Sequence, residues 1–398
     1  MVSLTIHAES TADLIASAIK INPEIQFYEA EITAAKAGKR STGQLTSPDL
    51  ALSAGGKTIR AVGDGPVWRA ELSQNFEFPG RVALRKAIAD RDIALAELGL
   101  MQFKSLLGND IRARAGEIAL MQRQAEATRG VHQRLASLIQ VLVQRDTGTV
   151  SAKLERRILE ATLLTTDRAL TDAEKSLTEA TTRINLIAGR SPSATLSLAD
   201  ATATFPDVPT LEALKTQSAK ANFDLAQKRV QLARQGLQID LTKSERWSNI
   251  TFGPYIGGES AGDHEIEGGI SLSIPLPLWN GKLKADVEAG QARQQGAQAM
   301  LNATLRQLEN ELTVARASYA AELEALTHWH TKAEAEFQQA AAEADQHYRL
   351  GAVPATTYVE MQRGYLEALD ALVQTRRNAW QHRMEIERLT GTSLEVKP

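Results

Sequence analysis

The sequence predicts a mainly α fold with a β-barrel portion, in which the same set of elements occurs twice. Three patterns lead to this prediction: long runs of apolar residues spaced by threes and fours, segments that alternate apolar and polar residues, and a pattern that recurs about 200 residues later. The composition agrees, because 43% of the 398 residues are hydrophobic and only 5% are aromatic. Such chains favour long helices that pack through small side chains.

Charge and cysteine content exclude several classes of function. The formal net charge is −3 and acids and bases are interspersed, so no nucleic-acid partner is expected. The absence of cysteine removes disulfides, thiolate metal sites and cysteine nucleophiles. No acidic and basic side chains converge in a pattern typical of acid–base catalysis, and His328 and His330 would point about 200° apart on a helix. We therefore predict no enzyme activity, no cofactor and no metal site.

The N-terminal residues leave the compartment open. They contain no basic region followed by an apolar core, so we expect no signal peptide in this chain. Both a cytosolic protein and a mature form that has lost its leader fit this observation. Without an N-terminal cysteine, lipid anchoring is also left open. No run of 18 apolar residues occurs, so no transmembrane helix is predicted.

The two halves of the chain match at five places in the same order. Ile21–Ile25 corresponds to Ala221–Leu225, and Leu72–Phe76 corresponds to Leu272–Leu276. We therefore predict two structural repeats, 1–205 and 206–398. The first is predicted to hold a helix, a β-hairpin at 48–78, a long helix at 80–146 and a helix at 150–190. The second is predicted to hold a helix, a hairpin at 249–279, a long helix at 281–350 and a helix at 354–392.

The long helix of the second repeat carries an apolar seam with the spacing of a coiled coil. The seam residues are Leu301, Leu305, Leu308, Leu312, Ala315, Tyr319, Leu323 and Leu326. About 65 helical residues span roughly 100 Å, which is too long for a compact globule. Gly351 and Pro354 then end the helix and reverse the chain. On the helices alone, a soluble coiled-coil scaffold remains an alternative.

The hairpins favour a membrane protein. Residues 66–78 and 266–279 alternate apolar and polar residues strictly, and their partner strands are expected near Asp49–Ile59 and Asn249–Gly258. Strands of about ten residues can cross a bilayer when tilted, with lipid on one face and water on the other. Four strands cannot close a barrel, so several copies would share one. A soluble hairpin packed on a helix is the alternative.

Three of the five tryptophans, Trp68, Trp247 and Trp279, lie near the predicted strand ends. Membrane strands place an aromatic girdle at such positions. We therefore interpret these three residues as a membrane girdle.

These patterns together resemble the TolC outer-membrane efflux family over nearly the whole chain. The opening segment of the family is similar to Ala18–Glu24, and its strand-to-helix segment is similar to Leu72–Arg81 and Leu272–Lys282. The tip turn of the family is similar to Arg349–Gly351. The length and the brief N-terminus look closest to the CzcC-like heavy-metal branch.

The resemblance implies a homotrimer. Four strands from each chain would form one twelve-stranded outer-membrane β-barrel, surrounded by lipid and continuous with a long periplasmic α-helical barrel. Short helices at 9–21 and 209–219 would belong to a belt around the helical barrel. The expected partners are a periplasmic membrane-fusion adaptor and an inner-membrane RND-type pump. The expected function is a passive exit duct for heavy-metal cations; a drug or polypeptide duct is the alternative within the family.

The resemblance also implies two functional sites. Paired turns at the periplasmic tip would dock the adaptor through Arg145, Gly148, Thr149, Val150, Arg349, Leu350, Gly351 and Ala352. A periplasmic gate would involve Asp146, Tyr348, Val353 and Glu360. Val353 stands where some members carry the gating arginine, so different contacts are expected to hold the closed state. The alternatives are that the glycines only satisfy turn geometry and that Glu360 lies on a solvated helix face.

Overall fold

A computed structural model describes residues 10–61, 63–144, 149–196, 203–276, 279–329 and 333–394. Nine helices and four strands lie within these ranges, and the prediction of a mainly α fold with four strands per chain is confirmed. The helices are α1 Thr11–Ile21, α2 Pro23–Thr42, α3 Arg81–Gln144, α4 Val150–Ile187, α5 Leu211–Ala221, α6 Phe223–Ser244, α7 Gly281–His328, α8 Ala333–Arg349 and α9 Ala355–Thr390. The strands are β1 Asp49–Ile59, β2 Gly63–Phe76, β3 Ile250–Glu259 and β4 Glu265–Ser273.

The second half of the chain repeats the element order of the first half. Each half begins with a short helix, α1 or α5, that ends at an asparagine in an extended conformation, with ψ 120° at Asn22 and ψ 125° at Asn222. The next helix starts at once, and two strands and long helices follow. The short helices begin at residues 11 and 211, two residues later than predicted.

The long helix of the second half differs from its prediction. Helix α3 is continuous over 64 residues, whereas α7 ends at His328 and α8 begins at Ala333. Trp329 lies in a bend, where its backbone N–H donates to Leu326 at 3.2 Å in the tighter i to i−3 pattern of a helix end. Within the described part of the chain, no helix combines the length and the apolar character needed to cross a bilayer.

The described residues divide into two compact units. The first contains residues 1–26, 101–223 and 305–398. One of its cores joins α3, α4, α8 and α9 around Leu135, Leu159 and Tyr358, and another joins α1, α3 and α4 around Leu14, Ile111 and Ile184. The predicted seam residues Leu308, Leu312, Ala315 and Tyr319 are buried, whereas Leu305 is exposed.

A buried ion pair organises two extended segments of the first unit. Arg383 and Glu387 lie one turn apart on α9, and their side chains are only 9% and 2% exposed. The Arg383 guanidinium also donates to the carbonyl oxygens of Thr204 and Leu394, at 2.5 and 3.2 Å. Glu387 accepts from the Leu394 N–H at 3.1 Å. One side-chain pair therefore fastens the chain around residue 204 and around residue 394 to the same helix.

The second unit contains residues 27–100 and 224–304. Its four strands form one antiparallel sheet in the order β1-β2-β3-β4. Strand β4 ends at Ser273, earlier than the prediction of 266–279, because Pro275 has no N–H to donate to a neighbouring strand. Pro277 and Leu278 lie outside the described residues.

Candidate functional site

The strand register gives the sheet two chemically different faces. Leu50 pairs with Leu72, and Phe252 pairs with Leu272, so apolar side chains of neighbouring strands project to the same side. The large apolar residues of this face are Leu50, Leu52, Trp68, Leu72, Phe76, Ile250, Phe252, Ile256, Ile266, Ile270 and Leu272. The alternation predicted for β2 and β4 is thus continued by β1 and β3.

Most of these apolar side chains are exposed in the single chain. Leu52 is 72% exposed, Ile266 78% and Ile270 66%. Soluble monomers rarely expose contiguous apolar patches larger than a few hundred Å². A whole sheet face of this kind is therefore unusual for a soluble monomer. It argues against the alternative of a soluble hairpin packed on a helix.

The opposite face is polar and holds an arginine at its centre. The Arg69 guanidinium lies 3.8 Å from the centre of the Tyr255 ring and within 4.0 Å of the carboxylates of Glu71 and Glu267. Gly257 separates Arg69 from Glu267 in the register, and a side chain there would meet Glu267 at 3.3 Å. The glycine therefore allows charges on β2 and β4 to approach each other across β3.

The sheet has two unpaired edges. Strand β1 pairs only with β2, and β4 pairs only with β3, among the strands of the described chain. The backbone N–H and C=O groups on the outer sides of β1 and β4 therefore have no strand partner here. Open edges are not tolerated in lipid, where each unsatisfied group costs several kcal/mol.

The three candidate girdle tryptophans lie at two ends of the sheet. Trp68 is part of β2 and pairs with Gly258, toward the hairpin turns. Trp247 precedes β3 and Trp279 follows β4, toward the helices. Trp68, Trp247 and Trp279 are 45%, 53% and 89% exposed.

A buried arginine that the sequence did not single out fixes the helix end of the sheet. Arg81, the first residue of α3, donates to the Asn249 side chain at 2.6 Å, to the Ser244 carbonyl at 2.9 Å and to the Trp247 carbonyl. The Phe78 and Trp247 rings stack at 5.5 Å between centres. The only sequence signal was the position of Arg81 in the strand-to-helix segment.

The second tip turn is built by a glycine after α8. Gly351 has φ +74°, and the N–H groups of Gly351 and Ala352 donate to the carbonyls of Tyr348 and His347 at 2.9 Å each. These two bonds form a Schellman motif, which requires the left-handed conformation that glycine adopts at low cost. Leu350 is 74% exposed at the turn, and Pro354 precedes the first residue of α9.

The candidate gate tyrosine packs inside the protomer. The ring of Tyr348 stacks on that of Tyr358 at 5.3 Å. Burial, and next the neighbouring Glu155 of α4, raise the pKa of Tyr348. Burial also raises the pKa of Tyr358, and the carboxylate of Asp345 adds to this effect. Tyr348, with its phenol protonated, therefore connects α8 with both α4 and α9.

Arg349 connects the end of α8 to α3. Its guanidinium donates to Asp345 at 2.8 Å and to the Ser137 hydroxyl at 2.7 Å. Deeper in the same unit, Arg134 donates to Gln362 at 3.1 Å, and Gln362 donates to the Ala341 carbonyl at 2.6 Å. Polar side chains thus join α3, α8 and α9 next to the turn. Of these side chains, Arg349 lines a groove of about 750 Å³ at the turn, together with Leu138, Val141, Leu142, Glu155, Tyr348 and Val353.

The structure describes some of the remaining predicted site residues and not others. Thr149 caps α4 by accepting from the Ala152 N–H at 3.3 Å, and Val150 is 75% exposed. Glu360 is exposed on α9, near Arg363. Arg145, Asp146 and Gly148 lie outside the described residues. Among the described residues, no three His, Asp or Glu side chains are arranged to hold a metal ion.

Known proteins share this architecture. Residues 212–392 match the family model described as outer membrane efflux protein. The chain superposes on the outer-membrane channel OprN with TM-score 0.75 and 18% identity, covering 96% of this chain and 90% of that one. It superposes on CusC, described for transmembrane channel formation, with TM-score 0.74 and 14% identity, covering 97% and 93%.

The outer membrane protein VceC of Vibrio cholerae gives TM-score 0.71 and 18% identity, covering 97% of each chain. No curated protein sequence matches the chain significantly. At these identities the structural matches show the fold alone, and the family model matches less than half of the chain. Residues 212–392 thus resemble the outer membrane efflux protein family in sequence, and the chain shares the fold of the three solved proteins over nearly its whole length.

Proposed function

We propose that this protein is the outer-membrane channel of a tripartite efflux system, a passive exit duct and not an enzyme. The observation that carries the proposal is the exposed apolar face of the four-stranded sheet, which lies opposite a face of charged and small polar residues. Lipid outside and water inside is the arrangement that this asymmetry fits. The strands contain 9 to 14 residues, and a tilted strand crosses a bilayer in about 9 to 11.

The unpaired edges of β1 and β4 support a homotrimer. A barrel needs about eight strands or more, and a chain with four strands reaches this number only by pairing with other copies. Three chains would supply twelve strands, with β1 of one chain beside β4 of the next. Closure satisfies every edge and removes the cost of unpaired backbone groups in lipid.

The helices would form the periplasmic part of the duct. At 1.5 Å per residue, the 64 residues of α3 have a length of about 96 Å, enough to extend far from the membrane toward a pump. We place adaptor docking at the two turns, where Val150 and Leu350 expose apolar side chains. The adaptor would connect the duct to an RND-type pump in the inner membrane. We propose that Arg145 and Gly148 also contact the adaptor.

We place the closed gate next to the second turn. Asp146, Tyr348, Val353 and Glu360 are the proposed gate residues, and Val353 offers no charge. The basic side chain at this turn is Arg349, which holds the end of α8 to α3 through Asp345 and Ser137. We propose that this link helps to keep the tip closed.

Gate opening can be measured as single-channel conductance in planar bilayers. Arg349→Ala is expected to raise conductance because the end of α8 loses its bond to α3. Arg168→Ala is the matched control, since Arg168 is exposed on α4 and pairs with Asp172 on its own helix at 2.8 Å. Equal conductance of wild type and Arg349→Ala would remove Arg349 from the gate.

Heavy-metal cations are the proposed cargo. An acidic side chain such as Glu360 at a narrow aperture would attract cations. Deletion of the gene should increase sensitivity to zinc, cobalt, cadmium or copper. Sensitivity to drugs with unchanged metal tolerance would instead support the drug duct, and a secretion defect alone would support the polypeptide duct.

Solution mass separates the channel from a soluble coiled-coil scaffold. A channel requires detergent and has the mass of three chains plus bound detergent. A monodisperse monomer or dimer without detergent would exclude the proposed channel.

A further inference from the structure

Three of the four connections between strands and helices share one order of side chains, and the fourth follows it in part. From β4 toward α7 the chain presents exposed Leu276, then Trp279, then the exposed bases Lys282 and Lys284. From the strand outward, an apolar residue is followed by an aromatic residue typical of the membrane interface and then by basic residues. It follows the depth profile of a bilayer, from hydrocarbon through the interface to the phosphate groups.

The connection between α6 and β3 has the same order. From the strand outward it presents Ile250, Trp247 and Arg246, and the Arg246 guanidinium lies 5.9 Å from the Trp247 ring. From β2 toward α3 the order is Phe76, Phe78 and Lys86.

The connection between α2 and β1 replaces the aromatic residue with exposed Leu45. From the strand outward it presents Leu50, Leu45 and Arg40. The full order therefore occurs at three strand–helix connections of the sheet, and a basic residue ends the series at all four. The bases that end it are Arg40, Lys86, Arg246, Lys282 and Lys284, here called the basic collar.

The basic collar is exposed and makes no ion pair among the described residues. Other bases nearby are neutralised, as Arg85 is by Glu77 and Lys39 by Asp90. Three exposed acids, Asp49, Glu245 and Asp286, lie in or beside the same connections. Among the described residues of these connections, five collar bases thus outnumber three exposed acids, which leaves an excess of two positive charges.

Direct contacts link three of the four connections. Arg81 bonds the Ser244 and Trp247 carbonyls, so the start of α3 lies against the end of α6. The Lys86 side chain lies beside Gly43 at the end of α2, since a side chain built at Gly43 would meet Lys86 Cε at 2.6 Å. These contacts bring the collar residues of α2, α3 and the end of α6 close together.

The hairpin end of the sheet lacks this pattern. Its exposed charges are Arg60 and the acids Asp64, Asp263 and Glu265, while Lys57 is paired with Glu259 at 2.5 Å. Positive charge is thus concentrated at the helix end of the apolar face. An anionic partner is expected only there.

We infer that the basic collar binds the phosphate groups of anionic phospholipids in the membrane leaflet nearest the helices. The inference rests on the proposed function, which places the apolar face in lipid. Exposed Trp247 and Trp279 would anchor the interface, and the bases just beyond them would meet the headgroups. Attraction of this kind weakens with salt, since the charges are exposed.

Native mass spectrometry of the full-length protein tests the inference. The purified protein is mixed, in detergent, with equal amounts of phosphatidylglycerol and phosphatidylethanolamine, and the bound lipids are counted at low and high salt. We expect wild type to prefer phosphatidylglycerol at low salt and to lose the preference at high salt. Lys282→Gln with Lys284→Gln should lower the preference roughly tenfold or more, since two bases that each contribute about 1 kcal/mol are lost.

Two controls separate the effect of charge in the collar from the effect of mutating these positions or of removing any two lysines. Lys282→Arg with Lys284→Arg should retain the preference, and so should Lys20→Gln with Lys220→Gln, which removes two exposed lysines from the short helices α1 and α5. Equal binding of both lipids by wild type would overturn the inference. So would an unchanged preference in the Lys282/Lys284 glutamine variant, or an equal loss in the Lys20/Lys220 variant.

Insertion of the same samples into proteoliposomes is scored separately. Failure to insert would contradict the proposed channel and with it the membrane position of the collar. Normal insertion without a phosphatidylglycerol preference would overturn only the headgroup contact.

Discussion

Phe252 of β3 lies directly opposite Leu272 of β4, and both side chains are exposed on the same face of the sheet. Their neighbours in sequence, Gly253 and Ser271, pair on the opposite face, where the Ser271 hydroxyl donates to Glu71. One step along a strand therefore changes the surroundings from apolar to polar. This contrast is the basis of the proposed lipid and water faces.

A charge placed on the apolar face should prevent assembly in the membrane. Leu272→Arg is expected to cost about 2–4 kcal/mol if the position faces the middle of the bilayer. Ser271→Arg, one residue away on the polar face, is the matched control and should be tolerated. The measurement is the yield of heat-resistant oligomer in the outer-membrane fraction. Similar yields for the two arginine variants would contradict the assignment of faces.

Breaking the buried Arg383–Glu387 pair should destabilise the first unit strongly. Glu387→Ala leaves the Arg383 charge buried without its partner, and a loss of about 3–5 kcal/mol in the free energy of unfolding is expected. Glu385→Ala removes a carboxylate that bonds exposed Arg388 on the same helix, and should cost less than about 1 kcal/mol. Denaturant unfolding in detergent measures both. Equal losses would show that burial of the pair is unimportant.

Gly116 should not tolerate a side chain. A Cβ atom at this position would lie 2.3 Å from the Trp380 ring, whose N–H bonds the Ala113 carbonyl at 2.9 Å. Gly116→Ala is expected to cost about 1–3 kcal/mol through overpacking. Gly364→Ala on α9 has open space and should stabilise by up to about 1 kcal/mol. A shift of the unfolding midpoint in the same direction for both variants would argue against this packing.

Tyr319 should make stability depend on alkaline pH. Burial raises the pKa of Tyr319 from 10.0 to about 12, so the folded protein keeps the phenol proton after the unfolded chain has lost it. The contribution to stability is therefore complete below pH 10 and is lost as pH rises toward 12. Tyr319→Phe loses the 2.8 Å bond to the Pro206 carbonyl, at a cost of about 1 kcal/mol, and lacks this titration.

The free energies of unfolding of wild type and Tyr319→Phe should consequently converge above pH 10 and cross before pH 12. Other titrating groups occur in both proteins and cancel in the difference. A constant difference between the two proteins from pH 8 to pH 12 would contradict the raised pKa of Tyr319.

Periodicity predicted the secondary structure well but not every buried group. The seam positions Leu308, Leu312 and Tyr319 are buried because spacing by threes and fours places them on one helix face. Arg363–Glu367 and Arg383–Glu387 have the same spacing on the same helix, yet the first pair is exposed and the second is buried. The difference arises from extended segments near residues 204 and 394, which no local pattern reveals.

The faces of the sheet were predictable only where a strand alternates by itself, because pairing between strands cannot be seen in a local pattern. Strict alternation on β2 and β4 indicated two faces directly. On β3, Gly253, Pro254 and Gly257 interrupt the pattern, and only the register with β2 and β4 assigns its residues to a face. The role of Arg81 depends on contacts with residues more than 160 positions away in the chain, at Ser244 and Asn249. The proposed gate and docking residues stay predictions.

Solvent accessibility along β4 tests the proposed membrane sheet most directly. Since the chain contains no cysteine, single cysteines can be introduced at consecutive positions from 266 to 273 and spin-labelled. In lipid bilayers, labels at Ile266, Ile270 and Leu272 should collide with oxygen, which dissolves in lipid. Labels at Glu267, Ser271 and Ser273 should collide with a water-soluble nickel complex. Alternation with a period of two is the expected result, whereas uniform exposure of both sets to water would contradict the membrane-spanning channel.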